Sequence, residues 1–560
     1  MHTAPITKKQ KLDGIMAQLK AGITTWEPTL RDIGDYISPY NHEWSAQLDA
    51  GNGARRDSYI INETPVQAVD IAVSGLFNGL CDPTERWMSL ETDDPDLNKI
   101  HAVREWCEEV TTRHLAEVAK SNFYTVVPED FRSILAYGTC ASITMESFED
   151  SCLWFAAFPI GSYWVGNGSR RNVVTIAREI SMTAGQIVQE FKVENVSDAV
   201  RNAFESNRKE QSFCVTHVVY PNEKFIQGQA FKSSDKRYLS TYYEAGQASH
   251  EDKMLLEEGF DTFPVQVARW STRGNAPWGF GPGHNILGSA RALQAYEIDL
   301  ALARELQLNP TLIVPAGVNM SAISLLPGAL VQATDPAGAQ GLRPLREVRF
   351  DLTAGQKGIQ ELEERIREGF YNNIFMMMSN DQNGQMTARE VMERAREKRL
   401  ALTPILRLTH EYLTPRIARN LDIMGKRGKL PPFPPEMRGS TLRIQYRSVL
   451  AKAAEMEKSA VTKDHMIQFA VPMSQIDPTI LDNYDMDELA RETSRNDGMP
   501  TTVMRDPVKV EEMRAARAAQ QQQQQQLVEM AHAAETAETL SKADTSGKNA
   551  LTDVIAQAGK

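Results

Sequence analysis

The groupings in this chain that most resemble chemical machinery are a glycine-rich run, two Gly-Lys pairs, scattered histidines and an acidic cluster, and each fails a spacing requirement. A phosphate loop of the G-x-x-x-x-G-K-[ST] kind needs a hydroxyl after the lysine to hold magnesium. Gly425-Lys426 is followed by Arg427 and Gly547-Lys548 by Asn549, so ATP hydrolysis is not expected. The run Trp278-Gly279-Phe280-Gly281-Pro282-Gly283 precedes an expected helix, whose N-terminus attracts anions. Pro282 removes one backbone donor, and no acidic residue follows a predicted strand at dinucleotide-fold spacing, so the run reads as a hinge leading into the helix. The 10 histidines show no H-E-x-x-H or similar metal spacing, and His101 and His114 read as partly exposed helix positions. Asp93, Asp94 and Asp96 surround Pro95 and suit a solvated turn better than a metal site. No catalytic residue, metal or cofactor is assigned.

Cys81, Cys107, Cys140, Cys152 and Cys214 are odd in number and lack C-x-x-C spacing, which reads as buried free thiols, not a disulfide scaffold or zinc knuckle. The 61 basic and 73 acidic residues leave a net charge of -12, which argues against a tight grip on a phosphate backbone by the chain as a whole. An acidic chain can still surround a duplex that must slide. At 560 residues more than one folding unit is expected, and 42% hydrophobic with 24% charged residues is an ordinary soluble composition. Met1 to Lys11 holds no apolar signal core and no uninterrupted run approaches a membrane span, so synthesis in a cytosol and no membrane association are expected.

The periodicity predicts a helix over 8–35, a Gly/Arg-rich loop at Ala50 to Arg56, an apolar helix from Pro65 to Leu80 and an extended Arg86 to Leu90. Helices over 98–121 and 128–137 follow, then strands at Thr139 to Ser147 and Leu153 to Val165. Strands at Val173 to Ile180, Cys214 to Tyr220 and Phe263 to Trp270, with a helix near 183–208, make this region an α+β domain.

From His284 the pattern changes. A helix to Leu308 is stopped by Asn309-Pro310. Its Ile286, Leu287, Ala290, Leu293, Ile298, Leu300, Leu302 and Leu306 point nearly all around the axis, so it must be covered on more than one side. A central core helix of one copy and a helix wedged between copies both satisfy that pattern. Strands at Thr311 to Pro315 and Val348 to Leu352 bracket a turn-rich segment. The next helix, Gly355 to Met378, carries one stripe of Ile359, Leu362, Ile366, Phe370, Ile374 and Met377, with Glu361–Arg365 and Glu363–Arg367 as favourable i, i+4 pairs opposite. The wholly polar Ser379, Asn380, Asp381, Gln382, Asn383, Gly384 and Gln385 must then form a loop. Thr387 and Glu390 form a capping box, stapled by Met386 and Val391, for a helix from Ala388 to about Met424. Its Pro404 and Pro415 predict bends near Thr403 and Thr414. Leu430 to Pro435 is a stiff connector and candidate boundary; beyond it lie a strand at Leu442 to Tyr446 and helices over 451–470, 485–495 and 507–534. Gln520 to Gln526 fits either disorder or an extended terminal helix.

The order of these pieces resembles the portal family, and most of all the head-to-tail connectors of short-tailed phages. The similar stretches are Arg86-Trp87-Met88-Ser89-Leu90 after a glycine-containing apolar helix, Ser121-Asn122-Phe123-Tyr124 with the helix to Gly138, the helix after Gly283, Met386-Thr387-Ala388-Arg389-Glu390-Val391 and the glutamine-rich tail. Together they cover roughly residues 10 to 530.

The resemblance implies an α+β, portal-like fold: a mixed wing domain over 1–280, a first stem helix over 281–309, a small β-containing clip over 310–352 and a second stem helix over 353–378. A tunnel loop over 379–386, a kinked long helix over 387–429, a helical crown over 430–505 and a C-terminal helix with glutamine-rich tail over 506–560 complete it. It implies a homo-oligomeric ring of twelve at one capsid vertex of a virion, made in the host bacterial cytoplasm, through which double-stranded DNA is packaged and ejected. Terminase, major capsid, scaffolding and tail adaptor proteins are the implied partners. Ser379 to Gln385 would touch DNA in the channel, and Ile286, Leu293, Leu300, Ile359, Leu362, Ile366 and Phe370 would pack subunits together. The competing readings are another capsid or neck component, present in different copy number, and a hydrolase with an unfamiliar site.

Overall fold

The computed structural model describes residues 7–40, 59–228, 232–245, 254–308, 312–313, 343–344, 352–373, 407–437, 439–446, 472, 484–496, 504–505 and 507–542. Contacts divide the chain into a larger unit drawn from Met1–Asp93, Cys107–Phe433 and Gly439–Ala454 and a smaller one drawn from Asp94–Trp106, Pro434–Arg438 and Glu455–Lys560. Among the described residues no helix is long and apolar enough to cross a membrane.

The chain opens with α1 (Lys8–Ile23), started by a capping box between Thr7 and Gln10, and α2 (Glu27–Tyr36). The single expected helix over 8–35 is broken at Thr24 to Trp26 because Pro28, in the first turn of α2, has no N–H to continue a helix from upstream. Next come α3 (Thr64–Leu80), β1 (Met88–Thr92), α4 (His101–Lys120) and α5 (Phe123–Tyr137). Then follow β2 (Thr139–Glu146), β3 (Leu153–Phe158), β4 (Tyr163–Asn167) and β5 (Val173–Thr183). The expected strand Leu153 to Val165 is two, since Pro159 and Gly161 (φ 96°) turn the chain and send its halves to different sheets. Helices α6 (Ala184–Phe191) and α7 (Asp198–Glu205) are separated at Lys192, whose φ is 66°. After them run β6 (Ser212–Pro221), β7 (Tyr238–Glu244), β8 (Leu256–Phe260) and β9 (Val265–Arg269).

These strands pair antiparallel in a three-stranded sheet of order β3-β2-β9 and a five-stranded sheet of order β4-β5-β6-β7-β8. Ile187, Val188, Phe191 and Val200 of α6 and α7 bury one end of the larger sheet against Val215 and Tyr242. The outer edge of β3 is closed by one side chain: Asn122 donates to the carbonyl of Phe155 (2.7 Å) and accepts from its N–H (2.9 Å), in place of a further strand.

Past β9 come α8 (Pro282–Leu308), the two-residue pair β10 (Leu312–Ile313) and β11 (Arg343–Pro344), and α9 (Leu352–Gly369). Helix α9 starts three residues before Gly355 and does not run unbroken to Met378, because Tyr371 adopts a left-handed φ of 62°. A five-residue π-helical turn, Thr409–Leu413, leads into α10 (Thr414–Lys426) just ahead of Pro415, which accommodates the missing donor where a bend was expected. Strand β12 (Leu442–Tyr446) pairs with β1, Met88 opposite Tyr446 and Thr92 opposite Leu442, so the chain beyond the proline-rich connector returns to the larger unit before leaving it. The smaller unit holds α11 (Met486–Asn496) and α12 (Pro507–Lys542), the latter helical through Gln520–Gln526. Arg514 forks onto Asp487 at 2.5 and 2.8 Å to tie the two helices together.

The glycine-rich run finds its purpose at the end of α5. Gly138 (φ 74°) caps that helix, and its carbonyl accepts from Trp270 N–H at 2.9 Å while Gly279 N–H donates to Thr139 Oγ1 at 2.8 Å. A Cβ on Gly279 would overlap the Gly138 carbonyl, one on Gly281 would lie 2.8 Å from Gly138 Cα, and one on Gly283 would overlap the carbonyl oxygen of Ala136. The glycines thus serve backbone-to-backbone contact, with Trp278 buried beside them, and no anion cradle is left open. Gly283→Ala is therefore expected to cost at least about 2 kcal/mol, read as a drop in denaturation midpoint, whereas Gly288→Ala, where an added Cβ meets nothing within 4 Å, should be neutral or stabilising.

Candidate functional site

Helices α8 and α9 form an antiparallel hairpin whose register is written in small residues. A Cβ at Gly369 would meet Ile286 Cδ1 at 2.5 Å, one at Gly358 would meet Tyr296 Cε1 at 3.4 Å, and one at Gly355 would meet Leu300 Cδ1 at 2.9 Å. As the numbers rise along α8 they fall along α9. Turning about 100° per residue, α8 presents Ile286, Ala290, Leu293 and Leu300 on one side, and these are buried, as are Ile359 and Ile366 of α9 and Phe370 just past its end. The residues expected to pack subunits together are therefore already covered within one copy, Leu362 half so, because each stripe finds the other first.

The opposite side of α8 is open. Ile298 and Leu302 are 52% exposed and Leu306 41%, and with Ala295 they step along the helix at intervals of three and four. Helices α2 and α5 as well as α9 lie against α8, and it is the second half of α8 whose outward row is bare. The segment before α3 fixes the hairpin: Gln294 Oε1 accepts from the N–H groups of Ile61 (2.8 Å) and Asn62 (2.9 Å), and its Nε2 donates back to the Asn62 carbonyl (2.9 Å). Asn62 Nδ2 then donates to Glu297 on α8 (2.8 Å) and Glu363 on α9 (2.9 Å). Of the two expected pairs on α9, Glu363–Arg367 forms at 3.3 Å; Glu361 and Arg365 make no ion pair among the described residues. The expected channel loop, Ser379, Asn380, Asp381, Gln382, Asn383, Gly384 and Gln385, lies outside the described residues, as do Ile374, Met377 and the capping box at Thr387 and Glu390.

Sequence reasoning missed the polar core that holds α10. Arg416 and Asp130 are both fully buried and paired at 3.1 Å. Tyr412 donates to Asp130 Oδ2 (2.5 Å) and accepts from Arg416 (2.7 Å), and Arg416 also donates to Ser142 on β2. The guanidinium stands 4.1 Å from the Tyr412 ring centre, with Phe155 and Phe123 beyond. Burial pushes the Asp130 carboxyl above its ordinary range, against the downward pull of Arg416, Tyr412 and Ser142. The i, i+4 spacing of Tyr412 and Arg416 was visible, but nothing local marked it as turned inward.

Burial also holds histidines neutral. His114, expected to be partly exposed, is fully buried against Asn420 (3.1 Å), which lowers it to about 4. His284 is lowered to about 4 by burial and by Arg273. His217 stacks on Tyr242 at 3.9 Å and accepts at Nδ1 from Arg178 (2.9 Å), so its proton sits on Nε2 towards Ser240; burial and the arginine hold it well below the ordinary range. Cys81, Cys107, Cys140 and Cys152 are buried with thiols pushed up by desolvation, which makes them poor nucleophiles. Cys214, expected to be buried, is exposed, since it faces outward on β6. Among the described residues no group of three or more His, Cys, Asp or Glu side chains could hold a metal ion.

Comparison with known proteins adds three findings. The family described as "Bacteriophage head to tail connecting protein" matches residues 9–504. The portal protein of Salmonella phage epsilon15 is 33% identical over 555 residues, covering 99% of each chain, and the probable portal protein of Bordetella phage BPP-1 is 32% identical over 555 residues, covering 98% of each. A chain in the virion of a native gene transfer agent particle is 10% identical, with 73% of this chain and 86% of that one covered, and aligns with a TM-score of 0.33.

Two tests follow from the buried groups. Arg416→Met strands Asp130 and is expected to cost about 3–5 kcal/mol in denaturant melts, more than the double replacement Arg416→Met with Asp130→Leu. Because the unfolded chain protonates His114 and His284 from about pH 6.5 downward and the folded chain only near 4, their contribution to stability is fully present above 6.5 and is lost as pH drops through that window. Buried carboxyls that are raised in the folded state, such as Asp130 and Glu258, act in the opposite sense lower in the range. Between pH 6.5 and 5, His114→Gln should flatten the loss by about 1 kcal/mol per pH unit relative to the parent.

Proposed function

The chain belongs to the bacteriophage head-to-tail connecting protein family, and from that membership we propose that its copies close into a ring, twelve-fold as the portal resemblance implies, around a channel for double-stranded DNA. It is a head-to-tail connector, in a family whose members serve as structural parts of the virion. The ring would stand at one capsid vertex, receive DNA from a terminase, contact major capsid and scaffolding proteins and attach tail adaptors.

The single observation that supports the ring reading is the bare row Ile298, Leu302 and Leu306 on a helix whose other face is complete. A row of this kind, repeated on every copy, is removed from water when one copy's α8 meets a different surface of the next, and such head-to-tail contacts close into rings. At 27 residues α8 is about 40 Å long, enough to form a channel wall. The outer face of α9 offers Lys357, Arg365 and Arg367 against Glu361, Glu363, Glu364 and Glu368, a net of -1, which would let a duplex slide and not clamp it. The polar loop Ser379–Gln385 is the segment we assign to contact with the passing duplex.

Ile298→Asp with Leu302→Asp is expected to abolish rings in negative-stain micrographs while leaving the melting temperature of the single copy unchanged; rings of normal size would refute the assignment. Ile366→Asp, by contrast, buries an unpaired charge inside one copy and should lower stability by about 4 kcal/mol before assembly is at issue. Asp381→Lys with Asn383→Lys should leave ring formation intact and reduce the DNA packaged per particle, and unchanged packaging would count against the loop.

A further inference from the structure

Away from the helical hairpin, three segments of the larger unit meet around one carboxylate. Glu411, in the π-helical turn, accepts from Arg269 (backbone N–H 3.1 Å, Nε 3.3 Å) and from Arg407 (Nε 2.9 Å). Arg269 also donates to the carbonyl of Arg171 (3.0 Å) and to Asn167 (3.3 Å), which draws in the turn between β4 and β5. Arg407 donates to Thr272 (2.9 Å), and the Asn167 amide donates to the carbonyls of Asn275 and Ala276 (3.1 Å each), which adds the loop between β9 and α8. Arg170 and Arg171 are exposed at the top of this arrangement and form no ion pair among the described residues. Arg273 is exposed too, its guanidinium lying 4.6 Å over the Phe280 ring. Neither 167–172 nor 271–278 contains an acidic residue. The three segments 167–172, 269–278 and 407–411 thus carry five arginines and one carboxylate, on a chain whose overall charge is -12.

We propose that this surface binds the phosphate backbone of duplex nucleic acid without regard to sequence. A surplus of positive charge attracts any polyanion, and the make-up of the loops decides between an acidic protein and a nucleic acid. Around the arginines the exposed positions are Ser169, Asn172, Ser271, Gly274 and Asn275, with no large exposed apolar side chain among them. Protein partners are held chiefly by aromatic or aliphatic anchors that fill pockets. Phosphates are held by arginine, serine, asparagine and backbone N–H groups, which is the set present here. Arginine's planar fork also suits phosphate oxygens in pairs. Pairing with Glu411 fixes Arg269 and Arg407 as the base of the site and leaves Arg170, Arg171 and Arg273 free to reach a ligand. The inference rests on the proposed connector role only for the presence of a duplex; ring formation does not depend on it.

The test is fluorescence anisotropy of a short mixed-sequence duplex titrated with the full-length chain at several salt concentrations. Arg170→Ser, Arg171→Ser and Arg273→Ser combined should weaken binding at least about tenfold at low salt and reduce the slope of log K against log salt by about two to three. Melting temperature and ring formation should be unchanged, so that loss of rings, which would bear on the connector reading, is distinguishable from loss of this site. Equal affinity and slope for parent and variant would overturn the proposal. So would displacement of the duplex by polyglutamate of matched charge as readily as by unlabelled duplex, which would give the surface to an acidic protein.

Discussion

Everything outward of the sheets depends on one contact that has no room for a side chain, the crossing of the run Gly279 to Gly283 over the C-terminus of α5. Two backbones that touch directly are fixed in separation and angle far more tightly than two surfaces separated by flexible side chains, because no rotamer change can absorb a shift. The hydrogen bonds from Trp270 to Gly138 and from Gly279 to Thr139 lock the crossing along its length. Since α8 begins within the crossing, its direction is set there. Gly355 and Gly369 carry the same principle onward, admitting Leu300 and Ile286 and so fixing the register of α9 on α8.

A second constraint acts from the other side. The buried Arg416–Asp130 pair is no strong source of net stability, since two desolvated charges repay each other only when every donor and acceptor is placed. What it does supply is orientation: Tyr412, Arg416 and Ser142 satisfy one another in one arrangement of α10 on β2 and α5. The π-helical turn widens the helix just before Pro415, and Thr414 Oγ1 donates to the Thr409 carbonyl at 2.8 Å, so a proline that would have broken the helix is absorbed beside this cluster. Arg269 and Arg407 on Glu411 repeat the device one turn earlier.

What the sequence made legible was whatever repeats locally. The helices Pro65 to Leu80, 98–121 and His284 to Leu308 stand within a few residues of α3, α4 and α8, because periodicity over several turns outweighs single-residue noise. Strands β7 and β8 were not expected: β7 is buried along nearly its whole length and so shows no alternation, although both pair with neighbours in chain order. The return of Leu442–Tyr446 to β1 spans the chain and left no local mark, so a boundary drawn at the proline-rich connector separated strands that are hydrogen-bonded. The glycine run was read as a hinge, but its reason lay in the close approach of Ala136 and Gly138, distant in sequence. His114 and Cys214 were misplaced for a related reason: burial is decided by what packs against a residue, and neither position carried a periodic signature strong enough to say.

The apolar pattern around α8 left two possibilities, a core helix of one copy or a helix between copies, and the two faces of the helix differ in how far one copy covers them. The inner row is spent on α9. The outer row, Ile298, Leu302 and Leu306, is about half exposed, so covering it gains about 1 kcal/mol per side chain, or a few kcal/mol per contact. Losing the freedom of a separate copy costs at least that much, so one such contact does not by itself hold two copies together. A closed ring changes the balance, because the last contact joins copies that have already lost their freedom and adds its burial at no further entropic cost. Weak contacts that are repeated and closed therefore favour a complete annulus over open chains of intermediate length, which fits the ring proposed above.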